Sequence, residues 1–199
     1  MKTPILFFLT ILFLVSCSKD NNTKTDPVFQ LPPETQVGAN TFGVTIKGKV
    51  YIPRDPKGYT YGPGAKPMEW LGTTTNQYNE LIVIDGASSV GFKITLHIQN
   101  LTTSGIYNLK QSNFQDGPDS IAYSHIFFKI FDYNISNYSY YGSIENQGVI
   151  EITKNDITNF ITSGRFSGKF VRYDNPNEFI EITDGRFDFG PGIYDKVFP

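Results

Sequence analysis

The sequence predicts an all-β protein: an antiparallel β-sandwich or flattened barrel of about nine strands, with at most one short helix. Three observations predict it. Apolar residues recur with period 2, turn dipeptides separate the runs, and only residues 155–162 suit a short helix.

The first run, 44–52, alternates imperfectly. Residues 81–85 follow, then 92–99, where Phe92, Ile94, Leu96 and Ile98 share one face. In 125–132, Ile126, Phe128 and Ile130 oppose Phe127, Lys129 and Phe131, so both faces of that strand expect partial cover. Residues 149–153, 166–173, 179–183 and 186–189 complete the set. Turn chemistry stands at Asp85-Gly86, 116–119, 174–177 and Asp184-Gly185. Residues 53–67 are rich in Pro and Gly and read as a surface loop, because proline cannot donate to a ladder. Ile-Glu-Ile-Thr occurs at 150–153 and 180–183, and Gly-Arg-Phe at 164–166 and 185–187. The spacings differ, so these are two similar hairpin-forming strands and not a duplicated module.

Net charge is −2, with 18% charged and 39% hydrophobic residues. No basic excess exists to release counterions from phosphates, which excludes a nucleic-acid partner. The apolar content excludes a disordered chain. The length fits one domain.

Residues 1–16 read as an export leader. Lys2 precedes an apolar run over 5–15 broken only by Thr10, too short for a membrane span of about 20 residues. Leu14-Val15-Ser16-Cys17 resembles the lipobox of bacterial lipoproteins, in which the cysteine is acylated and becomes the N-terminus. Cys17 is the sole cysteine, so no disulfide is available to the mature chain. The expected partner is therefore a membrane, reached through a lipid anchor at Cys17. Residues 17–39 are expected to form a flexible tether, and 40–199 a single β-rich domain.

Residues 31–43 followed by Gly48-Lys49-Val50, then 148–154, 161–167 and 182–187, resemble a family of small Bacteroidota lipoproteins of unknown function. The match covers both ends of the domain and none of 53–120. Where that family often carries a cysteine after Asn-Thr-Phe-Gly, this chain has Val44. The resemblance implies an exported β-rich domain; Ser18-Lys19-Asp20, after the cysteine, resembles the surface-export signals of Bacteroidota lipoproteins, so the expected place is the outer membrane, facing the surface or the periplasm. It supplies no catalytic residues.

Chemistry-bearing motifs are sparse. Gly43 to Lys49 fits G-x-x-x-x-G-K, but Val50 stands where a phosphate loop needs Ser or Thr before a helix. No metal-ligand pattern and no cofactor motif is present. His97 opposes the apolar face of its strand and is expected to face solvent. The paired carboxylates Glu151 and Glu181 offer the alternative of a carbohydrate-active hydrolase, provided their strands are neighbours. The stronger signal is aromatic. Tyr59, Tyr61 and Trp70 lie in or beside the Pro/Gly loop, and Tyr138, Tyr140 and Tyr141, with Tyr133, lie in an Asn/Ser/Tyr stretch. Such side chains stack on sugar rings or anchor protein interfaces. The expected role is a non-catalytic binding or envelope-interaction module that engages a glycan or an envelope protein.

Overall fold

The computed structural model describes residues 28–56, 65–72, 78–87, 91–115 and 122–199. Its order is β1 (Thr41–Ile46), β2 (Lys49–Tyr51), β3 (Met68–Gly72), β4 (Asn79–Asp85), β5 (Phe92–His97), β6 (Gly105–Asn108), β7 (His125–Asp132), β8 (Asn137–Asp156), β9 (Ile161–Arg172) and β10 (Asn175–Phe189). A short 3-10 turn, Ile193–Asp195, follows. The sequence Cys17 and residues 1–27 lie outside the described residues, as do Tyr59 and Tyr61.

One antiparallel sheet runs β2-β1-β10-β9-β8-β7-β5-β4-β3 and curls into a half-barrel, with β6 added beside the second half of β8. The nine-strand expectation holds in its barrel form. The curl lets one face close on itself. Phe42, Val44 and Ile46 of β1 meet Phe92, Ile94 and Leu96 of β5 and Phe128 of β7 in a single apolar cluster. Tyr51 of β2 packs on Phe92 of β5 with ring centroids 4.5 Å apart, and Trp70 of β3 packs on Phe189 of β10 at 5.3 Å, so each edge strand reaches a strand in the other half of the sheet.

Residues 155–162 form a hairpin turn between β8 and β9, not the short helix that the sequence allows. The strand pairing continues through Asn155↔Thr162 and Asp156↔Ile161. Asp184-Gly185 is not a turn either: β10 runs through it with a bulge between Ile182 and Gly185.

The two echoed motifs flank one strand. Ile150-Glu151-Ile152 of β8 pairs with 164–166 of β9, and Ile180-Glu181-Ile182 of β10 pairs with 168–170. The two Gly-Arg-Phe segments pair with each other, Gly185↔Phe166, Arg186↔Arg165 and Phe187↔Gly164.

The folded body begins before residue 40, so the expected tether is shorter at its C-terminal end. Asp188 is buried and accepts from Thr35 Oγ1 (2.6 Å), Val37 N (3.1 Å), Gly38 N (2.9 Å), Ala39 N (3.0 Å) and Ser163 Oγ (2.7 Å). Burial alone would raise this carboxyl's pKa, yet the hydrogen bonds from Thr35, Ala39, Ser163 and Gly38 outweigh it and hold it below the ordinary value. Lys196 Nζ donates to the carbonyls of Ala39 (2.8 Å) and Asn40 (2.6 Å), which ties the C-terminal segment to the same latch. Residues 32–39 thus form a strap across the outer face of β10.

Candidate functional site

The β7–β8 hairpin carries the clearest solvent-facing constellation. Pairing Phe127↔Gly142, Lys129↔Tyr140 and Phe131↔Tyr138 places these six residues on the outer face, because Phe128, Ile130 and Tyr141 of the same strands point into the core. Tyr140 is 38% exposed and stacks on Phe127, ring centroids 6.1 Å apart with an interplanar angle of 18°. Tyr138 and Tyr133 both meet Phe131 edge-on, at 5.5 and 5.1 Å. Lys129 Nζ lies 5.6 Å from the centre of Tyr138.

Phe114 extends the row. Its ring meets Phe127 at 6.4 Å and Tyr173 at 5.1 Å. Gly142 makes room: a Cβ there would strike Ser112 Cβ and the Phe114 ring, both under 3 Å. The result is an aromatic ladder held on strands, with side chains braced by neighbours before any ligand arrives.

Tyr141, expected as a contact, is instead fully buried. Its ring stacks on Phe128 at 5.2 Å, and its hydroxyl donates to Glu178 Oε1 at 2.6 Å. Burial and the hydrogen bond to Glu178 push the phenol pKa upward. Glu178 in turn is held down to about 2, first by Tyr141 and then by Arg172 and Lys47. Strand alternation decides this: one residue's shift along β8 exchanges a surface tyrosine for a core one.

Trp70 is half-buried against Phe189 and borders a groove of about 180 Å³ with Asn79, Asn155, Asp156, Ile157 and Phe160. Phe160 is 73% exposed and sits at φ 54°, a left-handed conformation that a bulky side chain rarely adopts.

The carboxylate pair does not assemble. β9 lies between Glu151 and Glu181, and their partners on it, Arg165 and Lys169, are four residues apart. Strand spacings then put them roughly 16 Å apart, beyond the about 5–9.5 Å that glycoside hydrolysis uses. Glu151 is committed to Arg165 through Nε (2.8 Å) and Nη2 (3.2 Å), which lowers its pKa. The hydrolase alternative loses its geometry.

His97 does oppose the apolar face, but it is fully buried rather than solvent-facing. The pairings Glu80↔His97 and His97↔His125 set three titratable residues in one row across β4, β5 and β7. His97 Nδ1 lies 3.3 Å from Glu80 Oε1, and the two imidazoles stack at 5.1 Å. Tyr78 and Tyr123 close over them. The row is sealed from solvent and presents nothing to a substrate in this state.

Among the described residues, no group of three or more His, Cys, Asp or Glu is placed to hold a metal ion. No helix among them is long and apolar enough to cross a membrane. The Gly43–Lys49 segment forms β1 and a tight turn into β2, with Lys47 at φ 50° and Gly48 at φ 78°, so no helix follows it.

No protein-family model, no curated protein and no solved structure matches this chain.

Proposed function

We propose that this protein is a lipid-anchored outer-membrane module that binds a glycan or an envelope protein through aromatic side chains and performs no chemistry of its own. The observation that carries the reading is the aromatic ladder of the β7–β8 hairpin. Tyr133, Tyr138 and Tyr140 each rest on a phenylalanine of β7, and Tyr133 and Tyr140 keep an exposed ring, which makes an aromatic patch suited to recognition. Tyrosine on a strand offers a flat apolar face and a polar tip with little entropy left to lose on binding. The split of Glu151 from Glu181 supports the non-catalytic part of the reading.

The anchor rests on Cys17 and the leader before it. Two measurements test the whole. Radiolabelled palmitate enters the wild type and not Cys17→Ala; equal label in both refutes the anchor. On a glycan array and in envelope pull-downs, Tyr138→Ala and Tyr140→Ala lose the wild-type partner. Unchanged capture by the folded double variant removes the ladder from the function.

A further inference from the structure

We propose a second binding site, at the β8–β9 turn end of the half-barrel, for one residue of a neutral glycan. The groove of about 180 Å³ that Trp70 borders opens there, between the end of β3 and the β8–β9 hairpin turn. Sites for drug-sized ligands run to roughly 300–1,000 Å³, so this one admits a single ring-sized group.

Its apolar side is aromatic and preset. Trp70 leans on Phe189 with ring centroids 5.3 Å apart and an interplanar angle of 35°. From the hairpin turn, Phe160 brings a ring that is 73% exposed at φ 54°. A left-handed backbone disfavours a bulky side chain, so an exposed phenyl ring is kept here against its own backbone preference. Gly72 keeps the opening clear. A Cβ there would stand 3.3 Å from Trp70 Nε1 and 3.1 Å from Asn79 Oδ1. The indole N–H therefore borders the open space.

The polar side faces those rings. Thr162 Oγ1 donates to Asn155 Oδ1 at 3.2 Å, which fixes that amide in the wall. Asp156 accepts from Asn159 N at 3.0 Å and from Asn159 Nδ2 at 2.9 Å. Each carboxylate oxygen keeps a second lone pair for a hydroxyl. Asn79 is engaged within the protein and serves only as wall.

Aromatic faces with a donor and acceptors at their edge match a pyranose, which has an apolar C–H face and a rim of hydroxyls. An aliphatic or phenyl side chain of a partner protein would cover the rings but strand the indole N–H and the Asp156 carboxylate away from water. Among the described lining residues Asp156 alone is charged, and Lys154 Nζ stands 3.7 Å from its Oδ2. No cation of the lining holds an anion, and the carboxylate repels one, so the sugar is neutral.

Trp70 is the only tryptophan of the chain, so tryptophan emission reports from this groove. The full-length protein, in a detergent without a sugar headgroup, is titrated with neutral trisaccharides of glucose, mannose, galactose and N-acetylglucosamine. Trigalacturonate is the acidic control and N-acetylphenylalaninamide the side-chain control. Emission and calorimetry follow each titration. At least one neutral trisaccharide is expected to shift the emission saturably, to bind at least about tenfold more tightly than either control, and not to weaken as salt rises. Gly72→Ala and Phe160→Gly are each expected to weaken it roughly three- to tenfold. Phe160→Gly melts no lower than the wild type, so its loss is not unfolding. Tyr138→Ala/Tyr140→Ala is expected to leave the titration unchanged. The inference shares with the ladder only the view that the protein binds glycans, and the two fail separately. No saturable response to any neutral trisaccharide, a control that binds as tightly, or undiminished binding by the folded Gly72→Ala/Phe160→Gly double variant overturns the site. Loss in the folded tyrosine double variant assigns the sugar to the ladder and overturns the groove too.

Discussion

Phe166 lies across Gly185, and its ring atoms fill the space that a Cβ at Gly185 would take. Phe187 likewise lies beside Gly164 on the neighbouring strand, where the Glu151 carbonyl oxygen stands closer still. Gly185 opens a slot for the Phe166 ring, and Gly164 admits both the Glu151 carbonyl of β8 and the edge of the Phe187 ring, so the two Gly-Arg-Phe segments pack β9 against β10 from the core side. Gly185→Ala is expected to destabilise by about 1–3 kcal/mol through overpacking. Urea denaturation of Gly185→Ala, Phe166→Leu and the double variant checks this. A double variant no worse than Phe166→Leu alone identifies the ring as the obstacle.

This relation also shows what the sequence holds and what it hides. Period-2 alternation was enough to find β5, β7 and the outer ends of β8 and β10, because those strands bury one face fully. Asp184-Gly185 has the composition of a turn, and local chemistry alone points that way. The glycine is there for Phe166, a contact 19 positions away that no local rule contains. Met68–Gly72 and Gly105–Asn108 escaped notice as edge strands with little alternation, and the first half of β8 escaped because Ser139 and Gly142 interrupt its apolar pattern. Alternation gave the side of the sheet on which His97 lies. It could not give the cover over that side, which comes from Tyr78 and Tyr123 on distant segments. Within the candidate site, Tyr138 and Tyr140 were legible by residue type. Phe114 was not, since only the fold brings it against Phe127 and Tyr173.

Asp188 sets the second expectation. Its Oδ2 receives three donors and its Oδ1 two, so Asp188→Asn turns an amide N–H₂ toward at least one donor group. A loss of about 3 kcal/mol is expected from the stranded donors. Limited proteolysis should then cut within 28–39 before the sheet opens. The folded carboxyl titrates below its unfolded value, so its contribution is present above the ordinary aspartate range and is lost as pH falls through the lowered value. The Asn variant lacks that acid-dependent loss, which a stability–pH series measures.

Tyr141 and Glu178 make the acid response of the turn end. Glu178 is held down to about 2 from 4.5, so its stabilisation is complete above about pH 4.5 and disappears toward pH 2. Its side chain remains 29% exposed, and solvent screening limits the contribution to about 2 kcal/mol. Tyr141→Phe removes the first of the interactions that depress the carboxyl. The variant is expected to lose about 1–2 kcal/mol at neutral pH and to begin its acid loss nearer pH 4. Thermal melts between pH 2 and 7 read both effects, and an unchanged acid limb would show that Arg172 and Lys47 suffice.

Trp70 and Tyr140 separate folding from recognition. Trp70 of β3 packs on Phe189 of β10 in the other half of the sheet, so Trp70→Ala is expected to cost about 2–3 kcal/mol in stability whatever it does to binding. Tyr140 rests on Phe127 with one face open, and Tyr140→Ala is expected to cost less than about 1 kcal/mol. Phe160 is mostly exposed in a left-handed turn, so Phe160→Gly is expected to stabilise by a few tenths to about 1 kcal/mol by relieving backbone strain. Chemical denaturation of the three variants beside their capture of the wild-type partner decides the roles. Capture lost in Tyr140→Ala at full stability is recognition. Capture lost only in Trp70→Ala, and restored in the cold where that variant is folded, is scaffold. A more stable Phe160→Gly that no longer captures the partner would mean that the strained turn is kept for what its phenyl ring touches outside the chain.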